Sequence, residues 1–287
     1  MNKKPLNLIV FLFAVVSLAT ALFVYSFQYK ALYEGKKAAE NYTPIASISR
    51  PVFRGDGPDG NQGGGKEDTK KTCDPVWVGS YGSTGADRGE AVATDGNSNV
   101  IMTGTFTNTI NFGGGSFTSA GFTDIFLAKY SSSKGYVWSK RFGSVGGDIG
   151  YDVATDAVGN IIATGHYENN VDFGGGPLPN LGALDIFIAK FSPMGEHLWS
   201  KGFGTTFGKN SVGYAVAADK DNNIVIGGYF DGTINFGTGP LTSYGGQDIF
   251  LAQFSSSGTP IWSKQFGGAN NENIENIAIA TNGNIFA

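Results

Sequence analysis

The chain has 287 residues, of which 41% are hydrophobic and 44 are glycine, with a mean hydropathy of −0.09; this balance excludes both a wholly disordered chain and a multi-pass membrane protein. From Cys73 onward 10 Lys and Arg stand against 18 Asp and Glu, and so acidic a body argues against nucleic acid as a partner, because a phosphate-backbone binder needs a basic stripe. The lone Cys73 excludes a scaffold stapled by internal disulfides.

Residues 1–40 open with Lys3 and Lys4 and then run uncharged and mostly apolar from Leu6 to Phe27. A span of about 20 such residues suffices for a transmembrane helix. The basic start also suits a secretory signal, with Ala19-Thr20-Ala21 as the small-residue cleavage site. Both readings place a hydrophobic helix at the N-terminus, make the membrane a partner through it, and export the rest of the chain, as a membrane-anchored extracytoplasmic body or as a secreted one. Residues 41–72, with "RGDGPDGNQGGGKEDTKK", are Gly-rich, polar and aperiodic, which predicts a flexible tether. The Arg54-Gly55-Asp56 triplet in it matches an adhesion tripeptide, but chance produces it easily in such a composition.

Residues 73–287 are a repeat array. Trp77, Trp138, Trp199 and Trp262 are spaced by 61, 61 and 63 residues, and Asp124, Asp185 and Asp248 follow the same spacing. One period is one structural unit. In the second unit "GYDVATD" predicts a first strand, "AVGN" a tight turn and "NIIATGHY" a second strand. The long "ENNVDFGGGPLPNLGAL" leads to a third strand, "DIFIAKF", and "SPMGE" turns into a fourth, "HLWSKGF". The third strand is apolar on both faces, so the sheet must be covered on both sides. Antiparallel four-stranded sheets that repeat radially meet that demand, so the expected class is all-β, a β-propeller of about 61-residue blades. Full blades are expected near 89–142, 150–203 and 213–266, with partial blades at both ends. Three full blades cannot close a ring, so the expectation is an open arc from a longer protein whose further blades complete it.

The strings "WSK.FG", "VA.D..GNI..TG", "FGGG" and "DIF.AK.S..G" resemble the SBBP family, the β-propeller repeats of bacterial exported and surface proteins. The likeness runs from Gly89 to Gly267, departing at Trp77, which "VGS" follows, and at Ala280, which replaces the turn aspartate. It implies the blade fold and no common reaction.

No residue pattern announces chemistry. The "DGNSN" and "DKDNN" turns alternate oxygen ligands as a calcium loop does, but lack the distal bidentate Glu and flanking helices, and a hairpin turn accounts for them. His166 and His197 occupy different repeat positions and form no triad or paired-His metal set. No catalytic residue, cofactor site or metal site is therefore assigned. Asp124, Asp185 and Asp248 follow Gly-rich loops at strand starts, where a carboxylate can accept loop amides. Together with Asp87 and Asp148, on the connections between units, they mark the face carrying the long loops, where a glycan or protein ligand is expected. The functional expectation is an exported, surface- or envelope-associated binding or structural scaffold. A propeller hydrolase or lyase acting on an extracellular polymer is the alternative, disfavoured because the units are so alike.

Overall fold

The computed structural model describes residues 79–287 apart from 83, 206 and 207. The expected N-terminal helix and the Gly-rich tether lie outside the described residues. Among those residues, no helix is long and apolar enough to cross a membrane.

The first unit is built from β1 (Arg88–Thr94), β2 (Val100–Phe106), a separate small hairpin of β3 (Thr109–Asn111) and β4 (Ser116–Thr118), then β5 (Asp124–Tyr130) and β6 (Tyr136–Phe142), and its main sheet has four strands. Its order is β1-β2-β5-β6, antiparallel throughout. The second repeats the scheme with β7 (Ile149–Thr155), β8 (Ile161–Tyr167), the short β9 (Val171–Asp172) and β10 (Pro177–Leu178), β11 (Asp185–Phe191) and β12 (His197–Phe203). The third contains β13 (Ser211–Ala218), β14 (Ile224–Asn235), β15 (Pro240–Phe254) and β16 (Pro260–Phe266), followed by a hairpin of β17 (Ala278–Ile279) and β18 (Ile285–Phe286). These antiparallel four-stranded sheets are consistent with propeller blades.

The long connection expected between second and third strands is not an open loop. It folds back as a hairpin, and in the third unit β14 and β15 simply extend through it, pairing Thr233 with Thr242 beyond a bulge. The reason is that Ile110 and Phe112, Val171 and Phe173, and Ile234 and Phe236 are all buried there. The "FGGG" segment thus carries core side chains as well as turn glycines.

β5 and β11 are buried at every residue, as their two apolar faces require. One core lies between sheets one and two, where Ile101, Ile125 and Leu127 meet Val153, Ile161 and Phe187. Phe142, at the end of β6, reaches across to Phe173 and Phe191 with ring centroids 5.0 and 5.3 Å away. Phe203 does the same to Phe236 and Phe254. Tyr81, 61 residues before Phe142, stacks in the equivalent place on Phe112 and Tyr130. The end of one unit therefore plugs the next unit's core. Ile274 and Ile277 cover the far face of sheet three.

A second device joins the units. Lys190 Nζ pairs with Asp156 Oδ2 at 2.8 Å and donates to Ser256 O of the next unit at 3.1 Å, where Trp199 Nε1 also donates. Lys129, Asp95, Trp138 and Pro193 O repeat the arrangement one unit earlier. Each aspartate belongs to the hairpin between first and second strands, and its Oδ1 accepts two turn amides, as Asp156 does from Val158 and Asn160. These carboxylates are thus filled by protein donors. Burial pushes the Asp95 carboxyl up, but the bonds from Asn99 and Lys129 outweigh it and hold the group at about 2.

Candidate functional site

Each unit presents one face with the second-to-third-strand connection and the link to the next unit. The two connections are sewn together by backbone bonds, Phe122 N to Gly146 O and Asp148 N to Thr123 O, with a parallel bridge between Thr123 and Gly147. Leu184 and Asn210 form the same bridge one unit on.

The aspartates marked by the sequence sit underneath. Asp124 accepts the Ala120 amide and pairs with Arg141. Asp185 accepts the Leu181 and Gly182 amides, and Asp248 that of Tyr244. Asp148 accepts Ser144 N at 2.6 Å and Glu168 N at 3.0 Å. Asp87 takes the Thr107 amide at 3.4 Å. Asp124, Asp148, Asp185 and Asp248 are each 0% exposed, so in this conformation a ligand meets the loops they hold and not their carboxylates. Where Arg141 stands in the first unit, Gly202 stands in the second. There burial pushes the Asp185 carboxyl up against the pull of its two amides. Burial likewise lifts Asp148 to about 6, opposed by the amides of Ser144 and Glu168.

What reaches solvent above this framework differs from unit to unit. The residue held by the buried aspartate is Ala120, then Leu181, then Tyr244, the last two 52% and 76% exposed. Phe122 and Val145 beside them are 78% and 71% exposed. An open groove of about 460 Å³ lies at the first junction, lined by Ala120, Ser144, Val145, Asn169, Asn170 and Asn180.

A second cluster is one that sequence reasoning missed. The innermost strands β1, β7 and β13 each carry a bulge after a glycine, and the bulged residues are Glu90, Tyr151 and Tyr214. Tyr151 packs on His166 at 5.5 Å and on Tyr214 at 4.8 Å, and Tyr214 on Tyr229 at 5.8 Å. Burial pushes Tyr151 up to about 12, with the neighbouring Tyr214 and Glu90 adding to it, and pushes His166 down to about 4. The available signal was a register position reading Glu, Tyr, Tyr in successive units, visible only once the bulge is known. His166 lies on β8 and His197 on β12, with β11 between them. Among the described residues no three His, Cys, Asp or Glu side chains are grouped to hold a metal ion.

Asp152, beside the bulge, bridges units by accepting Val216 N at 2.8 Å and Val153 N at 2.8 Å. Burial raises it from 3.8 to about 6 in spite of those bonds. Because the folded state holds this proton more firmly, the group favours folding below pH about 4, and that contribution is lost as pH rises through about 6. Asn276 stands at the equivalent position after the third unit and accepts the next amide in the same way. Asp152→Asn removes the buried charge but leaves one of the two amides without an acceptor oxygen, so it is expected to change the melting temperature little at pH 7 and to flatten its rise between pH 7 and 5. Melting curves across that range check both.

No family model matches the chain. It is similar to an uncharacterized WD repeat-containing protein, L264, of Acanthamoeba polyphaga mimivirus, with 25% identity over 234 residues, which is 68% of this chain. The chain spans 17% of that relative's length. The likeness to a WD-repeat protein and the repeated antiparallel four-stranded sheets together support a β-propeller-like repeat.

Proposed function

We propose that the chain is an exported β-propeller repeat scaffold, surface- or envelope-associated, which binds a glycan or protein ligand through the face that carries the long connections. The apolar run from Leu6 to Phe27 behind Lys3 and Lys4 supports export, and the SBBP-like strings support the bacterial surface setting. The observation that carries the binding reading is the contrast within each connection. Below is a buried aspartate in the same place in every unit, and above is an exposed side chain that changes from Ala120 to Leu181 to Tyr244. A rigid framework with variable display is how scaffold loops recognise ligands, whereas a purely structural connection has no need of exposed Phe122 and Tyr244.

The test uses the full chain, screened on glycan and peptide arrays, with the ligands found then measured against two sets of variants. Phe122→Ser and Tyr244→Ser alter the long-connection face, and Val158→Ser and Met194→Ser alter the exposed tight turns. All four positions are exposed, so folding is expected to be retained. Loss of binding in at least one of the first pair and in neither of the second is the expected result, and loss in the second pair alone places the site on the turn side and rejects the reading.

A further inference from the structure

We infer that the groove at the junction of the first two units is a subsite for an uncharged saccharide, an inference that rests on the binding reading above and narrows its ligand. Three asparagines converge there from two elements: Asn169 and Asn170 follow β8, and Asn180 ends the β9–β10 hairpin. Asn180 Nδ2 is buried without a hydrogen-bond partner, while its own amide donates to Asn170 Oδ1 at 3.2 Å. An unpaired buried amide donor is unfavourable in the free protein, and because the Asn180 residue itself is only half-buried, a turn of its side chain toward the groove gives that donor an acceptor on the ligand.

The lining decides the chemistry. None of its residues is charged, and the nearby Glu168 carboxylate already accepts Gly147 N at 3.1 Å. An anionic ligand finds no counter-charge in the lining, and a cationic one finds only the Glu168 carboxylate beside it, which is already engaged with a backbone amide. A side-chain amide both donates and accepts, which matches hydroxyl groups, themselves donors and acceptors. Exposed Val145, with Phe122 two residues beyond Ala120, offers apolar surface to the C–H face of a sugar ring. A peptide adding as a strand would need free backbone groups, and here Phe122 N and Asp148 N are already bonded to Gly146 O and Thr123 O. The volume of about 460 Å³ falls in the usual range for small-molecule sites.

Among the described residues, the asparagine lining is particular to this junction. At the equivalent place between units two and three, Lys209 Nζ pairs with Asp231 at 2.9 Å, and Gly232 and Thr233 stand where Asn169 and Asn170 stand. That difference supplies the variants. Asn169 has a left-handed backbone with φ of 56°, so Asn169→Gly relieves strain while removing the amide, and Asn180→Ala deletes a group with an unpaired donor. Neither substitution is expected to lower the melting temperature.

The full chain would be screened against uncharged hexose and N-acetylhexosamine oligosaccharides, with sulfated oligosaccharides alongside. The expected result is binding to a member of the uncharged set that weakens about tenfold, equivalent to about 1.4 kcal/mol, in Asn169→Gly and in Asn180→Ala but not in Tyr244→Ser. Uncharged binding that ignores both asparagine variants and falls in Tyr244→Ser overturns the groove and leaves the face reading standing. Uncharged binding lost only in Val158→Ser or Met194→Ser overturns both. Failure of every uncharged oligosaccharide, or binding to the sulfated set alone, overturns the saccharide assignment.

Discussion

Replacing Lys190 by alanine is expected to destabilise the protein by about 3–5 kcal/mol, because it leaves the Asp156 carboxylate buried without its cation. For a chain of this size that corresponds to a fall in melting temperature of roughly 10 °C. The substitution also leaves the carbonyl of Ser256 with Trp199 Nε1 as its one remaining side-chain donor, so the joint between units two and three loosens with the loss of the ion pair. Lys190→Gln copies the third unit, where Gln253 Nε2 lies 3.4 Å from Asp219 Oδ2. Asp219 is only partly buried, whereas Asp156 is buried. Glutamine is therefore expected to recover about half of the loss, since it supplies a donor without a charge. Acid titration provides a second readout. Burial pushes Asp156 up, but its bonds from Lys190 and Asn160 outweigh that and hold it below its ordinary value of 3.8. Its contribution is present above pH about 4 and is lost as the pH falls below that, toward the depressed pKa. In Lys190→Ala that part of the acid dependence should shrink. An alanine variant melting within a degree or two of the parent would show that the pair contributes nothing.

Gly165→Ala is expected to be at least as damaging. A Cβ at Gly165 would lie 1.9 Å from Ile149 O and 2.7 Å from the Phe187 ring. The clash is with the bulged backbone of β7, which cannot rotate away as a flexible side chain could. Gly104 and Gly228 meet Arg88 O and Val212 O at 2.0 and 1.9 Å in the same register. Overpacking of this kind costs typically 1–3 kcal/mol and more where backbone must shift, so about 3 kcal/mol or more is expected here. The measurement is a denaturant midpoint alongside Gly159→Ala. That residue lies in the adjacent turn with φ of +85° and no atom nearer than 3.7 Å to its added Cβ, so it reports left-handed strain without the clash. Equal losses in the two variants would mean that close approach does not decide the requirement at 165.

These two sites mark the boundary between what sequence alone determined and what it left open. The 61-residue spacing, the alternation of apolar positions and the Asp-x-x-x-Asn turns were sufficient for four antiparallel strands per unit, because strand period and turn geometry are local properties of the chain. The wholly apolar third strand also announced a sheet covered on both sides. The repeated "TG" was visible, but not its cause. A bulge in the neighbouring strand brings a carbonyl against that glycine, and nothing local to "NIIATGHY" reports it.

The same holds for the sites. The aspartates at 124, 185 and 248 stood out by spacing and, placed after Gly-rich loops, were expected to accept loop amides, yet their complete burial follows only from folding the loop back over the strand start. Lys129 and Lys190 read as ordinary strand lysines, because their aspartates lie 34 residues away in sequence and their carbonyl partners belong to the next unit. The asparagine groove combines three connections from two units, and the Tyr151, His166, Tyr214 and Tyr229 cluster combines two. Periodicity records which residues recur in a unit. Only packing between units decides which of the residues that do not recur are brought together, since that depends on register, bulges and the side chains that cross the junction.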